Sequence, residues 1–296
     1  RFSQAMLLTV PAGLMGEHLA TALQSVLDHH DALRLRLDAA THEPEPWRLR
    51  VMPRGAVAAQ DCLHRVDIVG LDAAARQRLI VEEAQAAAGR LAPYDGKMLQ
   101  AVWFDAGTEA SGRLLLTIHH LAVDGVSWRI LLPDLEAAWR ATVRGKTPAL
   151  PAPTTSFRRW AHVLATEAQR TERLAELPFW TAMQEARALS LFDGALDAAR
   201  DVTGSARELT LTLPPAVTGP LLTRVAAAFH AGVNDVLLTA LALAVNDWGR
   251  RHGRGHDTHA VLVDVEGHGR EEAAIHGTTA PDLSRTVGWF TSLYPA

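Results

Sequence analysis

The chain has 296 residues and a net charge of −4 with both signs interspersed, which gives no argument for a nucleic-acid or other polyanionic partner. Its one cysteine, Cys62, excludes an intramolecular disulfide and a cysteine-rich metal site, and it favours a reducing, cytoplasmic location. The longest apolar stretch, Val236 to Val245, is too short to cross a bilayer, so we predict no membrane partner. The composition suits one large domain or two smaller ones.

The first part of the chain shows alternating strand and helix periodicities. An amphipathic helix is predicted over residues 17–30, because Leu19, Leu23 and Leu27 share one face. Strands are predicted at residues 4–10, 32–38 and 47–52, and a helix with Asp72 as its N-cap is predicted over about 73–90. Residues 98–104 and 113–118 are predicted to pair as a hairpin, and a helix is predicted over 127–143.

The second part begins after a proline-rich connection at residues 145–154. A helical stretch is predicted from Ser156 to about Met183, followed by irregular chain. We then expect a strand at 207–213, helices at 215–229 and 234–251, and a strand at 259–265 buried on both faces. The pattern predicts a mixed α/β protein of two lobes, residues 1–180 and 206–296, with a linker at 181–205 and a ligand site in a cleft between the lobes.

The segment with most chemical content is His119-His120-Leu-Ala-Val-Asp124-Gly125, which lies between a predicted strand and a predicted helix. Asp124 and Gly125 are expected to form the turn, and Ser127 is expected to cap the helix. Such a place can hold a base and stabilise developing negative charge. For a lone His-His pair, surface histidines with a structural aspartate would be the commoner arrangement. A metal site is less favoured and none is predicted, because no further ligand cluster lies nearby in sequence.

This HHxxxDG pattern resembles that of the condensation-domain superfamily of nonribosomal peptide synthetases, which are two-lobed and chloramphenicol-acetyltransferase-like. Further segments resemble the epimerization domains of that superfamily: Val126-Ser127-Trp128, Phe229 to Asp235, Glu266-Gly-His-Gly-Arg270-Glu, and Arg285-Thr-Val-Gly-Trp-Phe. The resemblance spans nearly the whole chain, with its motifs in order. It implies a complete or nearly complete N-terminal lobe, a partial C-terminal lobe, and truncation at both ends.

The resemblance implies inversion at Cα of an aminoacyl or peptidyl thioester, L to D. The substrate is carried on the phosphopantetheine arm of a peptidyl carrier protein, expected upstream in the same chain, and no cofactor is expected to bind this domain. His120 and Glu266 are the expected catalytic pair, on opposite faces of Cα. Which of them removes the proton stays open.

The remaining motif residues are expected to support that pair. Asp124 is expected to be structural, paired with an arginine such as Arg270 or Arg36, and His119 to buttress His120 or hydrogen-bond the backbone. The second-tier candidates are Ser127, Trp128, Asn234 and Asp235. Trp128 and Trp289 are more often core or tunnel wall. The competing interpretation of Glu266 is an ion pair with Arg270 or Arg285.

Two other functions compete with epimerization. A condensation domain, which joins two carrier-bound groups through an amide bond, shares His119, His120, Asp124 and Gly125. A non-catalytic module that only docks a carrier protein is the alternative from another class. The segments Val126-Ser-Trp128 and Glu266–Arg270 favour epimerization over both.

Overall fold

The computed structural model describes residues 2–38, 47–185, 191, 195–254, 260–275 and 281–296. The chain forms two compact units. The first consists of Arg1–Arg173 and Gly267–Ser292, and the second of Leu174–Glu266 and Leu293–Ala296. The sequence prediction placed residues 267–292 in the C-terminal lobe, whereas here they belong to the first compact unit. Compact units and lobes are different divisions of the chain, so the lobe bounds stay a prediction.

The first unit is built on a four-stranded sheet with two long helices packed against one face and a third against the other. Its strands are β1 (Ser3–Val10), β2 (Leu35–Asp38), β3 (Arg48–Val51), β4 (Leu63–Asp67), β5 (Leu99–Asp105) and β6 (Gly112–His119). Its helices are α1 (Gly16–His29), α2 (Ala59–Cys62), α3 (Ala73–Arg90), α4 (Trp128–Val143), α5 (Phe157–Glu167) and α6 (Thr171–Leu174), the last of which ends just beyond the boundary.

The sheet has the order β1-β6-β5-β4, and β2 pairs with β3 in a separate ribbon. The predicted hairpin is confirmed, because β5 and β6 pair antiparallel with Trp103 opposite Leu114. Strand β1 pairs antiparallel with β6 on its other side, whereas β4 runs parallel to β5. Strand β6, which ends in the histidine motif, is therefore an interior strand held by hydrogen bonds from both sides.

Both faces of this sheet are covered, which explains why every residue of β5 is buried. One core cluster joins α1 and α4 to the strand residues Ala101, Trp103, Leu114 and Leu116. A second cluster joins Ala87 of α3 to Val102, Phe104 and Leu115. Each leucine that α1 buries fully contributes about 1.5–3 kcal/mol, so this packing holds β6 firmly in place.

Several local predictions for this unit are confirmed. The Asp72 carboxylate accepts a hydrogen bond from the Ala75 N–H at 2.7 Å, as expected of an N-cap. Residues 32–34, however, belong to a 3₁₀ turn, so the predicted strand 32–38 begins only at Leu35. The reason is Arg34, whose buried guanidinium donates to the carbonyl oxygens of Leu27 and Asp28 and holds the chain in a turn.

The second unit is mainly helical over its described residues. It contains α7 (Leu177–Glu185), α8 (Pro215–Pro220), a π-helical turn (Leu221–Val225), α9 (Ala226–Ala228) and α10 (Val233–Arg251). The predicted helices at 215–229 and 234–251 are thus confirmed. The helical stretch predicted from Ser156 to about Met183 consists of three helices, α5, α6 and α7. Part of the predicted irregular linker lies outside the described residues.

Two strand predictions for the second part of the chain are wrong. Residues 207–213 form no strand and are exposed, because their alternating pattern meets no partner strand among the described residues. The strand predicted at 259–265 is instead β7 (Asp264–Gly267), which pairs with β8 (Ser292–Pro295). Its residues alternate between exposed and half-buried, so the expected burial of both faces is also wrong. His259 lies outside the described residues.

A helix that crosses a membrane must be both long and apolar. Over the residues described, no single helix meets those needs. The segments Pro215–Ala228 and Val233–Arg251 are long and apolar enough only when they are taken together, and the chain bends by 101° between them.

Candidate active site

The histidine motif lies at the junction of strand, turn and helix that the sequence predicted. Strand β6 ends at His119, a short 3₁₀ turn follows at His120–Ala122, and α4 begins at Trp128. The His119 Nδ1 accepts a hydrogen bond from the Leu121 N–H at 3.3 Å, which is one of the two roles expected for it. Burial, and then the neighbouring His120, lowers the pKa of His119, which favours its neutral form.

His120 is enclosed by aromatic rings. The Phe2 ring stacks on the imidazole with centroids 4.6 Å apart, and the Trp289 ring lies 5.2 Å away. The His120 Nε2 is hydrogen-bonded to the side-chain amide nitrogen of Gln4 at 3.1 Å. The Nδ1 is buried and has no hydrogen-bond partner among the described residues. The imidazole is therefore fixed in position with one defined polar contact.

Asp124 is buried and saturated with hydrogen bonds. Its Oδ1 accepts from the Ser127 N–H and the Ser127 hydroxyl, both at 2.7 Å, and its Oδ2 accepts from the Phe290 N–H at 3.3 Å. The Arg270 guanidinium donates to both oxygens, at 3.1 and 3.2 Å. Of the two arginines expected, Arg270 is thus the partner, while Arg36 pairs with Asp38. With its oxygens engaged, Asp124 is suited to hold the loop rather than to exchange protons.

Ser127 does not cap α4 with its side chain, so that expectation is wrong. Its backbone is already helical, with φ −56° and ψ −32°, whereas a capping residue is extended. The hydroxyl, which donates to Asp124, points toward the segment after Gly267, where its oxygen accepts a hydrogen bond from the Gly288 N–H at 3.2 Å. The Asp124 carboxylate takes over the capping function by accepting the Ser127 N–H. Gly125 lies in the turn, as expected.

Arg270 ties its own segment together as well as holding Asp124. Its Nη1 donates to the carbonyl oxygens of Leu283 and Thr286, at 3.2 and 2.7 Å. Its guanidinium carbon lies 3.8 Å from the centre of the Phe290 ring. Gly269 has φ +65°, and a Cβ at that position would collide with the Phe290 carbonyl oxygen, so only glycine fits beside this arginine.

Arg285 holds a second buried carboxylate, that of Asp134 in α4. Its Nη2 lies 2.6 Å from both Asp134 oxygens, and His30 Nε2 lies 2.9 Å from one of them. Burial by itself would raise the pKa of Asp134, but the hydrogen bonds and charges of His30 and Arg285 hold it below its ordinary value. Arg285 therefore supports the packing of α1 against α4.

A cluster that the sequence did not suggest surrounds this carboxylate. His29, His30 and Asp134 offer ligand atoms that all lie within 4.8 Å of one another, a spacing that suits a metal ion. The Asp134 oxygens are already engaged by Arg285, and His30 already bonds one of them. Burial and then His30 lower the pKa of His29. The cluster fits a buried hydrogen-bond network as it stands.

Glu266 lies in β7 of the second unit, and its side chain is exposed. Arg270 pairs with Asp124 and Arg285 with Asp134, and the ion pair weighed for Glu266 stays a prediction. The arrangement of Glu266 and His120 on opposite faces of a substrate stays a prediction.

Asn234 and Asp235 lie at the start of α10 in the second unit, and both are exposed. The Asp235 carboxylate accepts a hydrogen bond from the Gly232 N–H at 2.8 Å, which is one half of a capping box, since Gly232 has no side chain to complete it. Asp235 therefore has a structural role as a helix cap, and a role for Asn234 stays a prediction.

Two residues that contact His120, Gln4 and Phe2, were missed by sequence reasoning. Gln4 lies on the more buried face of β1, in line with Met6, Leu8 and Val10. The sequence signal for Gln4, which the sequence analysis did not use, is that it is a polar residue on an otherwise apolar face of the strand. Gln4 and Trp128 also line an open cleft of about 730 Å³ beside Gly125, whose other walls are mostly apolar.

Several known proteins are similar in sequence to this chain. A family model described as "Condensation domain" matches residues 1–296. One of the linear gramicidin synthase subunits of Brevibacillus parabrevis is 39% identical over 295 residues, which cover 99% of this chain and 5% of that protein. Surfactin synthase subunit 1 of Bacillus subtilis (strain 168) is 35% identical over 294 residues, covering 99% of this chain and 8% of that protein.

Solved structures resemble the fold over the same length. The epimerization domain from the third module of tyrocidine synthetase B matches with a TM-score of 0.78 and 30% identity, covering 99% of this chain and 61% of that one. The first condensation domain of the CDA synthetase matches with a TM-score of 0.63 and 20% identity, covering 99% and 64%, which shows the fold alone. The predicted mixed α/β fold is confirmed. The chain spans only a small part of the curated relatives that it matches.

Proposed function

This chain belongs to the condensation-domain family, and on that premise we propose that it is an epimerization domain. Its substrate is an aminoacyl or peptidyl group, held as a thioester on the phosphopantetheine arm of a peptidyl carrier protein. The reaction inverts the configuration at Cα, from L to D. The domain itself binds no cofactor in this proposal: the thioester makes the Cα proton more acidic than an amide would, and positioned groups and stabilisation of the enolate oxygen supply the rest.

The observation that carries the proposal is the pairing of Arg270 with Asp124. Arg270 ends the segment Glu266-Gly-His-Gly-Arg270, by which the sequence resembles epimerization domains. Its guanidinium donates to the carboxylate of the histidine motif at 3.1 Å, and both side chains are buried. The two segments are 146 residues apart, so a specific contact between them supports one shared site. The solved epimerization domain is also more similar to this chain than the CDA condensation domain is, at 30% against 20% identity.

The chemistry needs one group to remove the Cα proton and another to return a proton on the opposite face. His120 is the first group, because its imidazole is held by Gln4, which lines the cleft, and no carboxylate hydrogen-bonds the imidazole among the described residues. Glu266 is the second group in the proposal, since it is exposed and lies four residues before Arg270. Each positioned acid or base contributes roughly 10²–10⁴-fold to the rate. Asp124 and Arg270 position the motif and take no part in proton transfer.

The decisive test uses the full-length domain and a carrier protein loaded with an L-aminoacyl group. Chiral analysis of the released amino acid should show a mixture of L and D forms. An amide product formed with a second loaded carrier would identify a condensation domain instead. An unchanged L-amino acid in both assays would identify a docking module without catalysis.

Exchange of the α-proton in deuterated water tests the two proposed catalytic groups. His120→Ala and Glu266→Gln should each slow exchange by roughly 10²-fold or more. The matched controls are His64→Ala and Glu208→Gln, because both side chains are exposed and distant in sequence from the motifs. Normal exchange in either catalytic variant would refute its assigned role.

A further inference from the structure

The Gln4 side chain bridges Trp128 and His120. The Trp128 indole N–H donates to the Gln4 Oε1 at 2.8 Å, and the Gln4 Nε2 lies 3.1 Å from the His120 Nε2. Gln4 comes from β1 and Trp128 from the start of α4, so the contact joins three elements around the imidazole. All three residues belong to the first unit.

The direction of these hydrogen bonds follows from the chemistry of the donors. An indole N–H can only donate, so the Gln4 atom that faces Trp128 must be the carbonyl oxygen. The Gln4 NH₂ group, which can only donate, then faces the His120 Nε2. That nitrogen must accept, and it therefore carries a lone pair in the resting enzyme. The proton of the neutral imidazole is left on Nδ1.

We infer that Gln4, oriented by Trp128, sets the tautomer of His120 and makes Nε2 the proton-accepting atom. No other hydrogen bond competes for this role, because the Nδ1 has no partner among the described residues. The stacked Phe2 ring and the nearby Trp289 ring hold the imidazole in place without offering it an acceptor. Gln4 is a positioning residue, and its catalytic consequence rests on the proposed function of His120.

The Gln4 NH₂ group occupies the Nε2 lone pair in the resting enzyme, so substrate must displace the Gln4 amide before Nε2 can accept the Cα proton. The contact therefore fixes which nitrogen is unprotonated before substrate arrives.

Nuclear magnetic resonance of protein labelled with ¹⁵N-histidine tests the tautomer without any assay of activity. The His120 signals are assigned by their loss in His120→Ala. In the wild type, Nδ1 should have the shift of a protonated nitrogen and Nε2 that of an unprotonated one. In Gln4→Leu the proton should move toward Nε2, and in Gln4→Glu the carboxylate should hold a proton on Nε2. Gln77→Leu, an exposed change on α3, should leave His120 unaltered.

A wild-type spectrum with Nε2 protonated, or a tautomer unchanged in both Gln4 variants, would overturn the inference. The kinetic arm is separate: Gln4→Leu should lower kcat for α-proton exchange roughly tenfold and leave KM unchanged, because the variant removes one hydrogen bond that selects the reactive form. If the tautomer shifts as expected but His120→Ala still exchanges the α-proton, then the proposed function of His120 fails and the inference about Gln4 stands.

Discussion

Replacing Arg270 with methionine tests whether Asp124 depends on it. The Arg270 and Asp124 side chains are 9% and 6% exposed, so the variant leaves a buried carboxylate without its charge partner. Such a loss costs about 3–5 kcal/mol. The Ser127 N–H, the Ser127 hydroxyl and the Phe290 N–H still donate to Asp124, so we expect the lower end, about 3 kcal/mol. Methionine keeps most of the apolar volume but also removes the bonds to the carbonyl oxygens of Leu283 and Thr286, so only the double variant with Asp124 isolates the cost that belongs to the pair.

Urea unfolding followed by tryptophan fluorescence and circular dichroism measures this cost. Asp124→Asn should be destabilising by a similar amount, because its amide NH₂ would face the N–H groups that now donate to the carboxylate. In the double variant the two costs should not add, with a coupling of about 1 kcal/mol or more. The control is Arg140→Met, whose ion pair with Glu136 is 60% and 59% exposed and should cost at most about 0.5 kcal/mol.

Two results would refute this reasoning. A cost below about 1 kcal/mol for Arg270→Met would mean that the remaining hydrogen bonds suffice for the carboxylate. Additive costs in the double variant would mean that Arg270 and Asp124 act independently. A third outcome concerns role rather than stability: if Asp124→Asn stays well folded but loses epimerization, then the structural assignment of Asp124 is too weak.

Two further predictions concern ionisation. Because the folded pKa of Asp134 lies below its unfolded value of 3.8, its contribution to stability is present above that value and is lost as the pH falls through the folded pKa. Asp134→Asn should therefore destabilise the protein at about pH 6, and in urea titrations the difference from wild type should shrink as the pH falls below 3.8. Burial raises the pKa of Cys62 to about 11, so its thiol should react with iodoacetamide only after unfolding. Rapid labelling of the native protein at neutral pH would contradict this.

The features that sequence predicted well depend on short stretches of chain. The β5–β6 hairpin and the Asp72 N-cap follow from patterns within about twenty residues, and the histidine motif falls at the predicted end of β6. The failures come from contacts outside such a window. Residues 207–213 have a strand pattern but no partner strand among the described residues, and the Arg34 guanidinium replaces an expected strand with a turn. Ser127 was predicted to cap α4, but its hydroxyl instead contacts the backbone of Gly288, which is 161 residues away.

The sequence by itself determined the family of this protein, the order of most helices and strands, and the place of His120 at the end of β6. Only the tertiary structure decided which arginine holds Asp124 and that Gln4 bonds His120, partners that lie 146 and 116 residues away. The physical reason is that periodicity reports which face of an element is buried. The partner of a buried polar group depends on which distant elements pack there, and no local pattern encodes that.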